Sequence, residues 1–334
     1  MVSYGICLAP LFAMLVSAHG IPDPSLDYHW QLWVKTHRKD YDNEDTHLAR
    51  RMIWEKNLKF IMIHNLEYSM GLHSYEVGMN HLGDMTDKEV ATTMTGFNAS
   101  EMSISNTTEL AQDLANKRVP ESMDWRNQNC VTNVKDQGSC ACSWAFSGVG
   151  ALECQMKQRK SKLASLSAQN LLDCSHDYGN NGCKGGFLVA TYRYMKENGI
   201  ELDSTYPFEG KDGICRYNPT SKAIGITSFK QLPYANEEAL KVVVGTEGPV
   251  SVAIDASRRS FYMYKAGVYY DPQCSNTETN HAMLVIGYGA DNGVEYWLVK
   301  NSWGTNFGEG GYIKIARNHY NHCGIANYGS IPTI

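Results

Sequence analysis

Apolar positions recur every three or four residues over two stretches near the start of the chain. In LDYHWQLWVKTHRK, Leu26, Trp30, Leu32 and Trp33 fall near helical spacing. In HLARRMIWEKNLKFIMIHNLEYSM, Ile53, Trp54, Leu58, Ile61 and Leu66 line one face, so residues 26–70 read as helical. Further on, SWAFSGVGALECQMKQR predicts a long helix from residue 143, and LSAQNLLDC a shorter one with Ser165 or Ser167 near its cap. From about residue 249 the pattern turns to short runs bounded by turn residues: PVSVAIDA, HAMLVIGYG, EYWLVKNSW and GYIKIARN. Helices first and antiparallel strands afterwards make an α+β pattern, not an alternating βαβ one.

The one long apolar run, ICLAPLFAMLVSA from Ile6 to Ala18, is short for a bilayer span and ends in small residues, so residues 1–18 read as a signal peptide. No membrane span is expected. Segment 92–118 is polar and reads as structureless. It holds two Asn-x-Ser/Thr acceptors, Asn98 and Asn106, which mark accessible surface if the chain enters the secretory route. It ends in Lys117-Arg118, a composition suited to a cleavable linker and equally to a plain tether. Beyond Val119 glycine, tyrosine and cysteine become frequent. The chain thus divides into a signal peptide (1–18), a helical leader segment (19–118) and a larger domain (119–334).

With 334 residues, 43% hydrophobic and 19% charged, the protein can bury a sizeable core. Its net charge of −5 and lack of any dense basic run make nucleic acid and anionic membrane poor partners. Of ten cysteines, Cys7 lies in the expected signal peptide and nine follow from Cys130 onward. In an exported chain this clustering implies disulfides confined to the last domain, with at least one thiol over. No pair of Cys-x-x-Cys knuckles is present, and Cys140 and Cys142, two apart, suit metal chelation poorly. No metal and no cofactor are expected.

Three clusters carry possible chemistry: QGSCACSWAFS opening the long helix, Asn280-His281-Ala282 at the start of a strand, and Lys300-Asn301-Ser302-Trp303-Gly304 closing another. Singly, a histidine beside a strand or an Asn-Ser turn is ordinary structure. In this order they form a nucleophile–base–orienter set. The residues Gln137-Gly138-Ser139-Cys140, Trp144-Ala145-Phe146-Ser147, Asn280-His281 and Asn301-Ser302-Trp303-Gly304 resemble the papain family of cysteine proteases. Upstream, Asn57-x3-Ile61-x3-Asn65 with Arg50 and Ile53-Trp54, and Gly78-x-Asn80-x-Leu82-x-Asp84, resemble the family's inhibitory propeptide; Thr46 stands where a glutamate is usual. The resemblance implies a two-lobed peptidase, with a helical left lobe and an antiparallel β-barrel on the right. A helical inhibitory propeptide precedes it and acts as its own inhibitor.

The same resemblance gives His281 as base, Asn301 as the residue holding its tautomer, Trp303 as a shield, and Gln137 as an oxyanion donor. It places the nucleophile six positions after Gln137, where the usual cysteine is replaced by Ser143. Cys142 stands one place early. Neighbouring helical residues diverge by about 100°, so Cys142 needs a backbone slip to reach His281. Serine is the expected occupant, with Cys142 as the alternative nucleophile. A helix dipole and an imidazolium can ionise a thiol but not a hydroxyl, so catalysis is expected to be impaired. The other reading is a catalytically silent peptide-binding protein on this scaffold.

By resemblance Cys140 pairs with Cys183, Cys174 with Cys215, and Cys274 with Cys323. Cys130 lacks its usual partner because Ile226 stands there, leaving Cys130, Cys142 and Cys154 as candidate free thiols. The specificity pocket is implied to involve Phe187, Ala253, Thr279, Ala282 and Tyr328. Gly185 and Gly186 lie on the substrate-binding loop, where Lys184 either favours acidic side chains or sits in a plain turn. Alanine at 253 and 282, in place of glycine, leads to an expected preference for small or medium aliphatic side chains. Protein or peptide substrates and cystatin-type inhibitors are the expected partners, with a monomer routed through the secretory pathway to the lysosome or outside.

Overall fold

The computed structural model describes residues 21–97 and 117–334. Residues 1–18, expected to be a signal peptide, lie outside the described residues, as do Asn98 and Asn106.

The leader segment folds on helices α1 (Asp27–Thr36) and α2 (Glu44–Ser69). Asn43 caps α2, accepting from the Thr46 N–H. Trp30, Trp33 and Trp54 form a small apolar cluster with the Arg51 guanidinium over two of the rings. The buried face of α2 carries Arg51, Trp54, Asn57, Ile61 and His64, whereas Leu66 and, on α1, Leu32 are exposed. The apolar periodicity misjudged this face for a physical reason: its polar members hold the chain that follows. Asn57 Nδ2 donates to Gly83 O and Met85 O, Asn65 Nδ2 to Val77 O, and a His64 ring nitrogen bonds Tyr75 O. Buried amides matched to backbone groups are as much a core as leucines are.

Strand β1 (Tyr75–Val77) then pairs antiparallel with a strand of the main domain. Helix α3 (Asp87–Thr93) is started by a capping box between Thr86 and Glu89. Residues 92 and 93 therefore end a helix, and residues 94–97 are ordered against the main domain; the expectation of a structureless stretch from residue 92 is corrected here.

In the main domain the helical lobe contains α4 (Ser143–Lys160), α5 (Ala168–Cys174) and α6 (Leu188–Glu197). Ser167 caps α5, accepting from the Asn170 N–H. After β2 (Met123–Asp124), the short pair β3 (Ile200–Glu201) and β4 (Lys222–Ile224) belongs to this lobe. Helix α7 (Glu237–Thr246) packs on the sheet lobe. That lobe comprises β5 (Ser228–Gln231), β6 (Val250–Ile254), β7 (Tyr264–Tyr269), β8 (His281–Asp291), β9 (Val294–Lys300), β10 (Tyr312–Ala316) and β11 (Ser330–Thr333). The order is β1-β7-β10-β9-β8-β6-β11-β5, with β2 on β8. Pairing is antiparallel except between β10 and β7, which run parallel.

Disulfides join Cys140–Cys183, Cys174–Cys215, Cys274–Cys323 and Cys130–Cys154. The last corrects the expectation of three unmatched thiols. The segment at Cys130 runs alongside α4, bringing its Cα within 4.7 Å of that of Cys154. Among the described residues only Cys142 is free, and it is buried.

Candidate active site

Two adjacent antiparallel strands create the first half of the site. His281 opens β8 and Asn301 follows the end of β9, so the pairing of Leu284 with Lys300 brings the two side chains together. The His281 Nε2–H donates to Asn301 Oδ1 at 2.8 Å, and the Ser302 N–H donates to the same oxygen at 2.8 Å. Because Oδ1 accepts twice, the ring proton belongs on Nε2, leaving the Nδ1 lone pair bare. Nδ1 is buried and has no protein partner. Trp303 covers the ring at 4.6 Å between centroids. Burial pushes the His281 pKa down to about 4, against a smaller upward effect from the Asn301 hydrogen bond.

The second half comes from the start of α4. Cys142 is its N-cap, with φ −115° and ψ 27°, and Ser143 is the first helical residue. The disulfide at Cys140 fixes the approach, and Trp144 is fully buried. The Ser143 hydroxyl accepts from the N–H of Ala282, the residue after His281, at 3.1 Å. The next turn is tied to the same strand by the Ser147 hydroxyl donating to Met283 O at 2.6 Å. The Cys142 thiol instead joins the apolar cluster of the helical lobe, where burial pushes its pKa up. A thiol in that setting stays protonated and is a poor nucleophile.

Across this site lies the leader. Met94 O accepts from both Gln137 Nε2 at 3.0 Å and Trp303 Nε1 at 3.1 Å. Gln137 Nε2 also donates to Cys140 O, while Gln137 Oε1 accepts from the Ser302 hydroxyl. Gly186 N–H donates to Gly96 O and Phe97 N–H to Asn280 O, each at 2.9 Å. Phe97 belongs to the same apolar cluster as Ala253 and Ala282, its ring centroid 5.6 Å from that of Tyr328. Two glycines permit this approach. A Cβ on Gly96 would collide with the Ala141 carbonyl, and one on Gly185 (φ +119°) would come within 2.7 Å of Gly96 O.

The structure thus brings Gln137, Ser143, His281, Asn301 and Trp303 to one cleft, with Gly185, Gly186, Ala253, Ala282 and Tyr328 around the leader strand. Thr279 is buried with its hydroxyl unpaired, and Phe187 is half-buried beside them. Sequence reading missed Met94, Gly96 and Phe97. A glycine followed by an aromatic residue inside an otherwise polar stretch was the available signal.

Residues 119–333 match the family model described as papain family cysteine protease, and residues 30–90 that of the cathepsin propeptide inhibitor domain (I29). The chain belongs to the papain family of cysteine proteases. It is 54% identical over 315 residues to Cathepsin S of Mus musculus (93% of this chain, 92% of the relative) and 52% identical over 328 residues to Cathepsin S of Bos taurus (98% of each). The solved structure of digestive procathepsin L2 proteinase from Tenebrio molitor larval midgut is similar, with a TM-score of 0.86 and 40% identity over 92% of this chain and 99% of that one. This papain-family chain is therefore a peptidase zymogen resembling cathepsin S, with the propeptide laid through the cleft.

Proposed function

We propose that this zymogen matures into a peptide-binding papain-family protein whose hydrolytic turnover is severely impaired, because Ser143 stands where the nucleophilic cysteine belongs. The observation that carries the reading is the Ser143 hydroxyl on the N–H of Ala282, next to His281, while the one free thiol among the described residues, Cys142, is buried and protonated in the helical lobe. With His281 Nε2 donating to Asn301, the bare Nδ1 is the nitrogen able to accept a proton from a nucleophile. A serine route would use His281 as general base with an amide behind it. Loss of the carboxylate from a serine triad costs on the order of 10⁴ in turnover. Gln137 Nε2 would donate to the oxyanion, in the place now taken by Met94 O.

The pocket around Phe97 suggests the neighbouring substrate side chain. The two alanine methyl groups do not close it to aromatics, since a phenyl ring packs there in the zymogen. We therefore widen the expected preference for small or medium aliphatic side chains to include phenylalanine. Lys184 is exposed beside Gly185 and would favour acidic side chains next to that position. Cystatin-type inhibition, a monomeric state, glycosylation at Asn98 and Asn106, and passage through the secretory pathway to the lysosome belong to the same proposal.

The test is labelling of the processed protein with an epoxide or vinyl-sulfone thiol probe. No adduct supports the reading, and an adduct on Cys142 overturns it.

A further inference from the structure

The residue before Asn301 is a buried lysine whose role is not explained by the cleft. Lys300 Nζ donates to Thr132 O at 2.8 Å and to Thr132 Oγ1 at 3.2 Å. The Thr132 hydroxyl donates onward to Glu153 Oε2 at 2.7 Å, and Glu153 Oε1 accepts the Leu166 N–H at 2.9 Å. Lys300 is 8% exposed and Glu153 2%. Among the described residues the two charges form no direct ion pair, so the hydroxyl is their link. Burial pushes Glu153 up and Lys300 down, and each group opposes the other's shift. A threonine hydroxyl accepts from an ammonium and donates to a carboxylate at once; serine can do the same and valine can do neither.

Three segments of the site converge on this hydroxyl. Thr132 begins the stretch leading to Gln137, Lys300 immediately precedes Asn301, and Glu153 lies on α4, the helix that starts at Ser143. Beyond Thr132, the first two segments stay joined. Gln137 N–H donates to Ser302 O at 2.8 Å, Ser302 Oγ to Gln137 Oε1 at 2.7 Å, and Gly304 N–H to Lys135 O at 2.9 Å. A cavity of about 30 Å³ lined by Thr132, Glu153, Lys300 and Asn301 adjoins the network. A buried network whose members are all paired fixes one arrangement, and removing a member leaves a desolvated charge behind.

We propose that the Thr132 hydroxyl is a positioning group for the catalytic histidine: by joining Lys300 to Glu153 it fixes the end of β9, so that Asn301 Oδ1 stays aligned on His281 Nε2. This rests on reading His281 and Asn301 as base and orienting partner.

The experiment is nitrogen NMR of ¹⁵N-histidine-labelled full chain, with the His281 signals identified by their loss in His281→Ala. The native protein should show one tautomer, protonated on Nε2. Thr132→Val should move about a tenth of the population or more to the other tautomer, and Thr132→Ser should restore the native signals. In a processed Ser143→Cys background, Thr132→Val should lower kcat by about tenfold or more with KM nearly unchanged. If Thr132→Val does not fold, the isosteric Glu153→Gln replaces it and must perturb the same signals. Unchanged His281 signals in a folded but less stable variant would reduce Thr132 to a structural residue and overturn the proposal. Failure of Ser143→Cys alone to gain activity would instead count against the reading of the site, leaving the tautomer result to judge Thr132.

Discussion

The backbone oxygen of Met94 lies 3.0 Å from the side-chain amide nitrogen of Gln137, and Trp303 donates to the same oxygen from the other side. A propeptide carbonyl thus takes the Gln137 donor that, in the proposed reaction, would serve the substrate. The contact depends on how closely the leader strand approaches the loop before α4, and Gly96 makes that approach possible.

Replacing Gly96 with alanine should therefore unseat the strand. The added methyl meets the Ala141 carbonyl, which is backbone and cannot swing away. Propeptide binding to the mature domain, measured by titration of the separated domain with the residue 19–97 peptide, should weaken by about 100-fold, the scale of a lost interface anchor. An affinity within twofold of the native peptide would refute the argument.

Acid should loosen the full chain. His81 is half-buried, with both ring nitrogens shut from solvent and unpaired, and desolvation lowers its pKa to about 4, as it does for His281. The nearby charges of Asp136, Lys39, His37 and Asp84 only modify that effect. A histidine whose folded pKa lies below its unfolded value of about 6.5 favours folding when neutral, so its stabilisation is present above pH 6.5 and is lost as pH falls towards 4. The loss per group is on the order of 3 kcal/mol by pH 4. Urea midpoints measured from pH 7 to pH 4 should fall over this window, and less steeply for His81→Gln. An identical slope in the variant would remove His81 from the account.

Peptides differing only at the side chain that enters the Ala253–Ala282–Tyr328 pocket should show phenylalanine binding at least as tightly as valine. The packed ring of Phe97 is the reason. Dissociation constants by calorimetry on the processed protein check this; a phenylalanine peptide bound tenfold more weakly than the valine peptide would contradict it.

Much of this architecture was legible in the chain because its strands and long helix carry clear periodicity. The α4 pattern from Ser143 and the run from His281 give elements at Ser143–Lys160 and His281–Asp291. What stayed hidden was held by polar pairing. The inward side of α2 includes Asn57 and His64, whose burial makes sense only once their backbone acceptors are in place. Cys130 and Cys154 look unmatched because the resemblance gives Cys130 a partner at a position held by Ile226 and gives Cys154 none, and nothing local shows the loop lying against α4. Thr132 and Glu153 carry no motif at all. Their meeting with Lys300 is a product of three segments distant in sequence.

The central claim is that the residue at the helix start limits the chemistry, while the rest of the cleft is sound. Turnover of a fluorogenic peptide by the processed protein, native against Ser143→Cys, tests it most directly. Native turnover should be lower by on the order of 10⁴, and the variant should show thiol-dependent activity. Thiol-dependent turnover at ordinary protease rates in the native protein, abolished by Cys142→Ser, would contradict it.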